Sequence, residues 1–323
     1  MAQGYVGIDV SKDTLDCHLM HGDRRQYREV GNTKDGFRRI HKWLKKQCGR
    51  ERPHVCLEAT GQYSDGVAEH LYDLHYPVSV VNPTQPKRFA QSMMRRNKTD
   101  KADAQVLALF CQATSPALWA PPPAHVQELR ATTRRLDSLK EMRQQERNRL
   151  GAGELPDLVI ESIVVHLELL NEQIAVLDHA AQEQISQHED LREKRKLLVS
   201  IPGIGNLTAA KLIAEIPWNI EFESARQLAA YAGVTPSNHE SGSSVHRRAY
   251  ISKKGNVHLR KSLYMPALVA KTHNPLIAAF YERRIENGLS NKAAIVACMR
   301  KMLHIVYGVL EHGKPFDPNY GSE

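Results

Sequence analysis

Four carboxylates stand where they could hold a metal ion. Asp9 and Glu58 each end a β-rich run, in GIDVSKD and HVCLEAT, and Asp100 and Asp103 lie three residues apart at a helix start. Residues three apart share one helix face, so this pair can point the same way. Carboxylates brought together repel one another unless a cation binds them, and Mg²⁺ takes oxygen ligands. The pattern predicts a Mg²⁺ site on these four acids, and two such ions would suit phosphodiester chemistry.

Each acid also has a structural interpretation. Asp9 could be a turn residue, and Asp100 could be a helix N-cap. The basic residues around the second pair are predicted to contact phosphate groups, but they could equally form ion pairs with the acids. They are Arg95, Arg96, Lys98 and Lys101.

A second candidate for chemistry is the stretch HESGSSVHRRAYISKKGN, residues 239–256. Its three serines are Ser241, Ser243 and Ser244. A serine hydroxyl is a weak nucleophile and needs activation or a polarised target, which a phosphate bound to Mg²⁺ would supply. The spacing does not distinguish the three serines, and taken alone the stretch could be a solvated turn followed by a basic loop.

Other polar side chains in this stretch could orient a phosphate or move a proton. They could equally contact a nucleic-acid backbone without taking part in chemistry. They are His239, Glu240, His246, Arg247 and Arg248.

Positive charge is concentrated around this stretch. The whole chain has a formal net charge of +8, whereas residues 241–301 hold twelve Lys and Arg against two acids, a net charge of +10. A concentrated positive segment is an electrostatic footprint for phosphate backbones, although a solubilising surface would also carry it. We therefore expect nucleic acid as a partner. The predicted contacts here are Arg247, Arg248, Lys253, Lys254 and Arg260.

The elements that must position the acids come from the first part of the chain. Strands arranged as hairpins come first, and strands alternating with helices follow, which predicts a mixed α/β sheet. The run SPALWAPPP, residues 115–123, ends this domain, because consecutive prolines cannot continue a helix. The expected strands are 5–10, 14–21, 26–30, 54–59 and 77–82, and helices are expected to begin near residues 34, 64, 83 and 100.

The rest of the chain is expected to be mostly helical. A polar helix over 124–150 is followed by a segment whose apolar residues alternate at spacings of three and four, the pattern of a coiled-coil seam. These two helices could form an antiparallel hairpin or a dimerisation arm. Further helices are expected over 222–233, 257–268 and 293–310. The seam residues are Ile160, Ile163, Leu167, Leu170, Ile174, Leu177 and Ala181.

A Gly-rich turn lies between two further helical segments. The turn reads SIPGIG, residues 200–205, within LLVSIPGIGNLTAAKLIAEI. The spacing is similar to a helix-hairpin-helix element, in which backbone N–H groups and a helix N-terminus face a phosphate. A plain helix cap and turn would have the same pattern.

Composition excludes several classes of protein. The chain has 323 residues, 41% hydrophobic and 25% charged, which is ordinary for a soluble globular protein of two or three domains. No stretch approaches the roughly 20 apolar residues of a membrane span, and the N-terminus shows no secretory signal. The five cysteines form no CxxC pair, which argues against a zinc site or a disulfide framework. We expect a cytoplasmic bacterial protein with no membrane partner.

Several ordered motifs carry a resemblance to a known family. GIDVSKDTLD, CLEATGQY, NPTQPKRFAQ and RNKTDKADAQVLA occur in that order, and SIPGIG and AAYAGVTPSNHESGSSVHRRAYISKKGNVHLRKSLYMPA follow. They resemble the DEDD-type transposases of the insertion-sequence 110 family, the group related to the pilin-gene invertase. The resemblance covers both ends of the chain, and the coiled-coil region is the spacer between them.

The resemblance implies an architecture of three parts. Residues 1–117 would form an α/β domain of RNase H-like (RuvC-like) fold that holds the four acids. Residues 118–195 would form a linker and coiled-coil helices. Residues 196–323 would form a mostly α C-terminal transposase domain, which includes the helix-hairpin-helix-like element and the nucleophile.

The resemblance also implies an activity. The protein would be an insertion-sequence transposase, a DNA recombinase guided by a noncoding bridge RNA that pairs with target and donor DNA. The family's four acidic positions fall on Asp9, Glu58, Asp100 and Asp103, with Mg²⁺ as cofactor, and the nucleophile falls on Ser241. Attack would give a phosphoserine link and a free 3′-OH. We expect a homo-oligomer, a dimer of dimers, in which the acids of one protomer face Ser241 of another.

Two other functions remain open at this point. A metal-dependent junction-resolving nuclease would use the four acids to activate water and would treat ESGSS as a loop. A non-catalytic nucleic-acid-binding protein would keep the acids for structure alone.

Overall fold

The structure is a computed structural model that describes most of the chain. The described residues are 4–59, 61–93, 99–218, 222–237, 240–241, 245–246, 250–252 and 255–319. They divide into two compact units, Met1–Pro121 and Pro122–Glu323.

The first unit combines strands and helices as the sequence predicts. Its described part contains β1 Tyr5–Val10, β2 Thr14–His21, β3 Arg24–Gly31, α1 Lys34–Cys48, β4 His54–Glu58, α2 Gln62–Asp73, β5 Val78–Val81, α3 Thr84–Ser92 and α4 Asp100–Thr114. The strands form one sheet in the order β3-β2-β1-β4-β5. Strand β1 pairs antiparallel with β2 and parallel with β4, so the expected mixed sheet is confirmed.

The two faces of this sheet are covered by different helices. Alternate residues of a strand point to opposite faces, so Val6 and Ile8 of β1 lie on one face and Gly7 and Asp9 on the other. Val6 and Ile8 belong to a core that includes residues of α1 and α2. A smaller core on the opposite face joins Cys56 of β4 with residues of α4. The side chain of Asp9 therefore belongs to the face that α4 covers.

Helix α4 lies directly on strand β1 at Gly7. A Cβ atom at residue 7 would overlap the carbonyl oxygen of Ala104 and the amide nitrogen of Ala108, and it would lie 2.7 Å from Leu107 Cβ. Glycine is required here by the close approach of the two backbones, and its φ angle is not in the left-handed region. The first turn of α4, which contains Asp100 and Asp103, is thereby held close to the sheet.

The second unit is mostly helical in its described part. Its elements are α5 Ala124–Leu150, α6 Asp157–Gln187, α7 Glu189–Val199, α8 Asn206–Glu215, α9 Ala225–Tyr231, β6 Pro236–Ser237, β7 Glu240–Ser241, β8 Val245–His246, β9 Tyr250–Ile251, α10 Val257–Ser262, α11 Tyr264–His273, α12 Pro275–Glu286 and α13 Asn291–His312.

Helices α5 and α6 form an antiparallel hairpin, one of the two arrangements that the sequence left open. Arg143 Nη1 donates to Asn171 Oδ1 at 3.0 Å, and His166 Nδ1 lies 3.2 Å from Glu146 Oε1, so positions later in α5 meet positions earlier in α6. Leu139 of α5 also packs against Leu170 and Ile174 of α6. We call this hairpin the arm.

A buried ion pair fixes the base of the arm to the core of the second unit. Arg134 of α5 donates to Glu215 of α8 from Nε at 2.6 Å and from Nη2 at 3.0 Å. Asn256 Nδ2 also donates to Glu215 Oε2, at 2.8 Å. Glu215 is 3% exposed, and a buried carboxylate needs such partners because desolvation of its charge is costly.

The C-terminal helices differ from the sequence expectation in two places. The single helix expected over 257–268 is two helices, α10 and α11, which meet at Leu263. Helix α12 was not expected. It begins after Asn274, whose Oδ1 accepts hydrogen bonds from the amides of Leu276 and Ile277 at 3.1 and 3.3 Å, and Pro275 occupies its first position. An Asn-Pro helix start was therefore readable from the sequence.

Helix α13 is long and apolar enough to cross a membrane by length and composition, with a mean hydropathy of 1.5 over its best window. The expectation that no stretch approaches that length was wrong. However, its residues Cys298, Met302 and Val306 are fully buried in the largest core of the second unit. Core helices of globular proteins pass the same test.

The contact at Gly7 generates a prediction. Gly7→Ala should destabilise the first unit by about 1–3 kcal/mol, because the new methyl group overlaps the backbone of α4 and forces the helix away. Chemical denaturation measures the change. The matched control is Gly31→Ala in β3, where the nearest atom to an added Cβ is 3.8 Å away, and a loss of stability in the control as large as in Gly7→Ala would contradict the explanation.

Candidate active site

Two of the predicted acids lie side by side at the ends of neighbouring parallel strands. Ile8 of β1 pairs with Leu57 of β4 in register, and Asp9 and Glu58 are the next residue on each strand. Both belong to the face that α4 covers, because they alternate with Ile8 and Leu57 of the opposite core. Asp9 is in the body of β1, opposite a residue of β2, so it is not the turn residue of the structural interpretation.

A fifth carboxylate, Asp16, joins this face and was missed in the sequence analysis. It is the antiparallel partner of Asp9, and residues directly opposite on such a pair point to the same face. Asp16 is 6% exposed. Its Oδ1 accepts a hydrogen bond from the Tyr27 hydroxyl, which raises the pKa of Tyr27 above its usual range. The alternation of TLDCHLMH contained the signal, since it places Asp16 on the face of Asp9 once the hairpin register is known.

The second pair of acids lies in the first turn of α4. Thr99 is the N-cap of this helix, and its Oγ1 accepts from the amide of Ala102 at 3.2 Å. Asp100 is the first helical residue, so the N-cap interpretation of Asp100 was wrong. A helix N-terminus carries partial positive charge, which favours carboxylates in this turn. The Lys101 ammonium lies 5.0 Å from the ring centroid of Tyr27, a cation–π contact rather than an ion pair.

The electrostatics of Asp9 show that these acids are close. Its pKa is raised from an ordinary value of 3.8 to about 6. Burial is the largest cause, and the charges of Asp103, Asp100 and Asp16 raise it further, while a backbone hydrogen bond from Val10 opposes them. A carboxylate whose pKa is raised by burial and by neighbouring charges is a feature of functional sites.

The chemistry of this donor set fits a hard divalent cation. The donors on this face are carboxylate oxygens, which Mg²⁺ prefers, and a bound cation would relieve the repulsion that raises the pKa of Asp9. Asp9, Glu58, Asp100 and Asp103 would hold the ion, and Asp16 adds a further negative charge beside Asp9.

Among the described residues, a different group of potential metal ligands lies close together. One ligand atom each from His125, His188 and Asp190 lie within 4.8 Å of one another. The two imidazole rings stack with centroids 4.1 Å apart, and Lys194 Nζ lies 3.4 Å from Asp190 Oδ2. A cation therefore already faces this carboxylate. The group is distant in sequence from the four acids, and the two histidines lie far apart along the chain, which is why the sequence analysis missed it.

The predicted nucleophile lies in β7, one of the four two-residue strands β6 to β9 of the second unit, which we call the ribbon. Strand β6 pairs with β9, and β7 pairs with β8, with Ser241 in register with Val245 and Glu240 with His246. The stretch that looked like a turn and loop therefore contains strands. Ser243, Ser244 and His239 lie outside the described residues.

Of the residues predicted to contact phosphate groups or nucleic acid, Lys101, described above, and Arg260 fall in the part of the chain that the structure describes. Arg260 lies in α10, and its Nη1 donates to the carbonyl oxygen of Ala232 at 3.0 Å. The others lie outside the described residues. They are Arg95, Arg96, Lys98, Arg247, Arg248, Lys253 and Lys254.

The turn of the proposed helix-hairpin-helix element connects α7 and α8. Gly203 has a φ of 102°, and a Cβ at this position would lie 2.8 Å from Ala270 Cβ and 2.9 Å from the carbonyl oxygen of Pro266. Gly205 has nothing within 4 Å of an added Cβ. One side of the turn is thus packed on α11, and the other side, at the start of α8, is open.

Comparison with known proteins identifies the family. Residues 6–152 match the IS110-type DEDD transposase family, and residues 195–282 match the IS116/IS110/IS902 transposase family. The pilin gene-inverting protein of Moraxella bovis is 33% identical over 319 residues, which cover 98% of both chains. The chain belongs to the IS110 family of transposases. The resemblance stated from the motifs is therefore confirmed, and with it the class of enzyme, a transposase or DNA recombinase.

Two further sequence relatives of this IS110-family transposase agree with the assignment. The pilin gene-inverting protein of Moraxella lacunata is also 33% identical over 98% of each chain. The transposase for insertion sequence element IS1111A of Coxiella burnetii is 27% identical over 79% of this chain and 77% of its own. Among solved structures, T. thermophilus RuvC in complex with a Holliday junction substrate matches 36% of this chain and 98% of its own, at 18% identity and a TM-score of 0.26.

We call the carboxylates of Asp9, Asp16, Glu58, Asp100 and Asp103 the acidic face. Their charges lead to a prediction about the stability of the transposase. The raised pKa of Asp9 means that its contribution to stability is complete below about pH 4 and is lost as the pH rises through about 6. Asp9→Asn should therefore stabilise the metal-free protein by roughly 1–2 kcal/mol at pH 7.5 and by much less at pH 4. Denaturation curves at both pH values measure this difference.

Mg²⁺ should reduce this difference in stability between Asp9→Asn and the wild type. Added Mg²⁺ should raise the melting temperature of the wild type and raise that of Asp9→Asn less, because the variant has lost a ligand and much of the repulsion. Asp13→Asn, an exposed position in the turn after β1, is the matched control and should respond as the wild type does. An equal response to Mg²⁺ in Asp9→Asn and the wild type would exclude Asp9 as a ligand.

Proposed function

We propose that this IS110-family transposase cleaves and rejoins DNA strands with Ser241 as nucleophile and with Mg²⁺ held by Asp9, Glu58, Asp100 and Asp103. A noncoding bridge RNA would guide it by pairing with target and donor DNA. The observation that carries the proposal is the acidic face, on which Glu58 of β4 neighbours Asp9 of β1 and the first turn of α4 brings Asp103 and Asp100 close enough to raise the pKa of Asp9.

The proposed covalent step balances without an external energy source. The Ser241 Oγ attacks the scissile phosphorus and forms a new O–P bond, the bond from phosphorus to the 3′ oxygen breaks, and the serine proton passes to a base while the 3′ oxygen is protonated. Mg²⁺, when bound, would polarise the phosphate. The phosphoserine link conserves the energy of the broken bond, so the strands can be rejoined by the reverse attack of a 3′-OH.

Two neighbours of Ser241 are candidates for the proton transfer. Glu240 precedes Ser241 on β7. His246 of β8 is the residue in register with Glu240. Imidazole and carboxylate groups are the usual acid–base catalysts. We propose this pair, with Arg247, Arg248 and His239, as the groups that orient the phosphate or move a proton.

Nucleic acid would contact the positive segment of the second unit. Residues 241–301 have a net charge of +10, which favours the phosphate backbones of both DNA and the guide RNA. The open side of the turn before α8 would present backbone N–H groups to a further phosphate. Arg260 would contribute mainly by holding the backbone at Ala232, which its hydrogen bond already does.

We also propose the three-part division that the motifs imply. An RNase H-like domain over residues 1–117 is supported by the mixed sheet and by the position of its acids at strand ends. A linker and coiled-coil segment over 118–195 corresponds to the arm, and residues 196–323 form the part that carries Ser241. We propose a cytoplasmic location, as befits a protein that acts on bacterial DNA.

The nucleophile can be tested directly. The transposase purified with its bound RNA and mixed with donor DNA and Mg²⁺ should form a covalent protein–DNA adduct, and Ser241→Ala should abolish both the adduct and cleavage. Denaturing gels and mass spectrometry of the adduct measure this. Ser243→Ala and Ser244→Ala are the matched controls and should keep the adduct. If Ser241→Ala still cuts DNA, the protein is a nuclease that uses water, and the proposed nucleophile is wrong.

The arm supports the proposed oligomer through a surface that the sequence analysis missed. Leu158, Val165, Leu169 and Val176 of α6 are 78%, 65%, 50% and 62% exposed. They are spaced seven, four and seven residues apart and so form one stripe along the helix. The buried residues Ile163, Leu170, Ile174 and Ala181 have the same spacing, shifted by five positions, and line the face that packs inside the chain. We call the exposed residues the outer stripe.

The outer stripe suits a second copy of the transposase. A repeat of apolar residues at this spacing is the pattern of helix–helix association, and apolar residues this exposed on one helix mark an interaction site. We propose that the outer stripe joins protomers, in the homo-oligomer expected to be a dimer of dimers, and that the acids of one protomer serve Ser241 of another.

One experiment tests both parts of this proposal. A mixture of Asp9→Asn and Ser241→Ala protomers should recover about a quarter to a half of wild-type cleavage, because some sites combine an intact acidic face with an intact serine. Adding Leu169→Glu to both chains should abolish the recovery and shift the protein to a smaller species in light scattering. Val269→Glu, at a valine of α11 that is 44% exposed, is the matched control. No recovery in the simple mixture would contradict assembly between protomers.

A further inference from the structure

A cavity of about 660 Å³ lies in the second unit between four parts of the chain. Its walls come from α9, from the strands at the base of the ribbon, from α12 and from one face of α13. Cavities of this size hold small ligands or single groups of larger ones. Its lining includes Arg284, Lys292, Arg300 and Lys301 of the positive segment, but none of the individual residues named above for the reaction or for assembly.

Basic groups dominate the polar part of the cavity. No acidic residue occurs among its described lining residues, and no ion pair is formed by its cations within the part of the chain that the structure describes. Unneutralised positive charge in a concave site attracts anions. The basic lining residues are Arg226, Arg284, Lys292, Arg300, Lys301 and His304.

Two of these groups have buried polar atoms that lack a partner. Arg300 Nε and His304 Nε2 are buried and make no hydrogen bond to any described residue. Burial lowers the pKa of His304, and the charges of Arg300, Lys301 and Arg226 lower it further. An unsatisfied buried donor is costly, and an anion in the cavity would satisfy the guanidinium.

The remaining wall is apolar and includes an aromatic ring. Phe280, Val296, Leu289 and Ile251 line it, and Arg284 lies 4.8 Å from the centroid of the Phe280 ring. Cations beside an aromatic and aliphatic surface are the combination that binds unpaired nucleotides, whose phosphates need charge and whose bases need an apolar contact. A paired base in a duplex would not expose its face to such a wall.

The cavity lies near the proposed nucleophile along the chain. Pro236 of β6 lines the cavity, and Ser241 follows five residues later. Five residues span at most about 18 Å when fully extended. A strand anchored in the cavity would therefore have a neighbouring phosphate within reach of the ribbon.

We propose that this cavity binds an unpaired nucleotide of a nucleic-acid strand, with its phosphate on Arg300, Arg284 and Arg226 and its base against Phe280 and Val296. The inference rests on the proposed function only in that the transposase handles nucleic-acid strands. It concerns binding, so it does not depend on the identity of the nucleophile or of the metal ligands.

Binding to single and double strands tests the proposal in the Ser241→Ala background without Mg²⁺, where no cleavage is expected. Fluorescence anisotropy would measure the affinity for labelled oligothymidylate, for oligouridylate and for a DNA duplex of mixed sequence. Arg300→Met and Arg284→Met should each weaken binding of the unpaired strand by about tenfold, the effect of one charge-assisted contact, and weaken duplex binding by less than about twofold. A selective loss for oligothymidylate or for oligouridylate identifies the strand as DNA or RNA, and either supports the proposal.

Lys261→Met is the matched control, because Lys261 is exposed, forms an ion pair with Glu141 at 3.0 Å and does not line the cavity. It should leave both affinities within about twofold of the parent. Melting temperatures confirm folding, and the exposed Arg284 keeps the test valid if Arg300→Met fails to fold. Phe280→Ala should also weaken strand binding, whereas Phe280→Tyr should retain it.

Three outcomes would overturn the proposal. Equal losses for strand and duplex would reduce the cavity to general surface charge. Unchanged affinities in Arg300→Met and Arg284→Met would exclude the cavity from binding. Competition by thymidine 5′-monophosphate as strong as by the strand would make the ligand a free nucleotide. In each case Ser241 and the acids are unaffected, so failure here is separate from failure of the proposed reaction.

Discussion

The acidic face depends on how closely helix α4 approaches strand β1. Residue 7 has no side chain, and so the backbone of α4 can lie directly on the strand at Ala104 and Ala108. This contact places the first turn of the helix beside Asp9, two residues further along the same face of β1. Asp103 and Asp100 then act on the charge of Asp9, as its raised pKa shows. A small steric constraint in the sheet thus sets the electrostatics of the site.

Gathering carboxylates in this way opposes folding stability. Burial and three like charges all disfavour ionised Asp9, and the partial positive charge at the start of α4 offsets only part of this. Asp16 is held in the group by Tyr27, whose hydroxyl donates a hydrogen bond to Asp16 Oδ1. Arrangements that cost stability persist where a ligand or a reaction needs them. The proposed cation site would supply such a ligand for the acidic face.

In the second unit, long helices serve different purposes on different sides. Helix α6 packs Ile163, Leu170 and their repeats inside the arm and leaves the outer stripe exposed. Helix α13 buries Cys298, Met302 and Val306 in the core, and places Arg300 and His304 in the basic cavity. Side chains three or four residues apart lie on the same face of a helix. One long helix can therefore pack one face into a core and present another face to a ligand or partner. The positive charge of the C-terminal half is therefore partly organised into a concave site.

The sequence by itself determined the local elements and the candidate acids. Runs of strand-forming residues predicted β1, β2 and β4, and α1 begins where a helix was expected, near residue 34, because these signals act over a few neighbouring residues. The order of motifs was enough to identify the family. Tertiary structure alone decided that Asp16 faces Asp9, since this depends on hairpin register, and that Gly7 meets α4. It also decided the outer stripe and the cavity, because exposure and concavity arise only when distant segments pack, which no local pattern encodes.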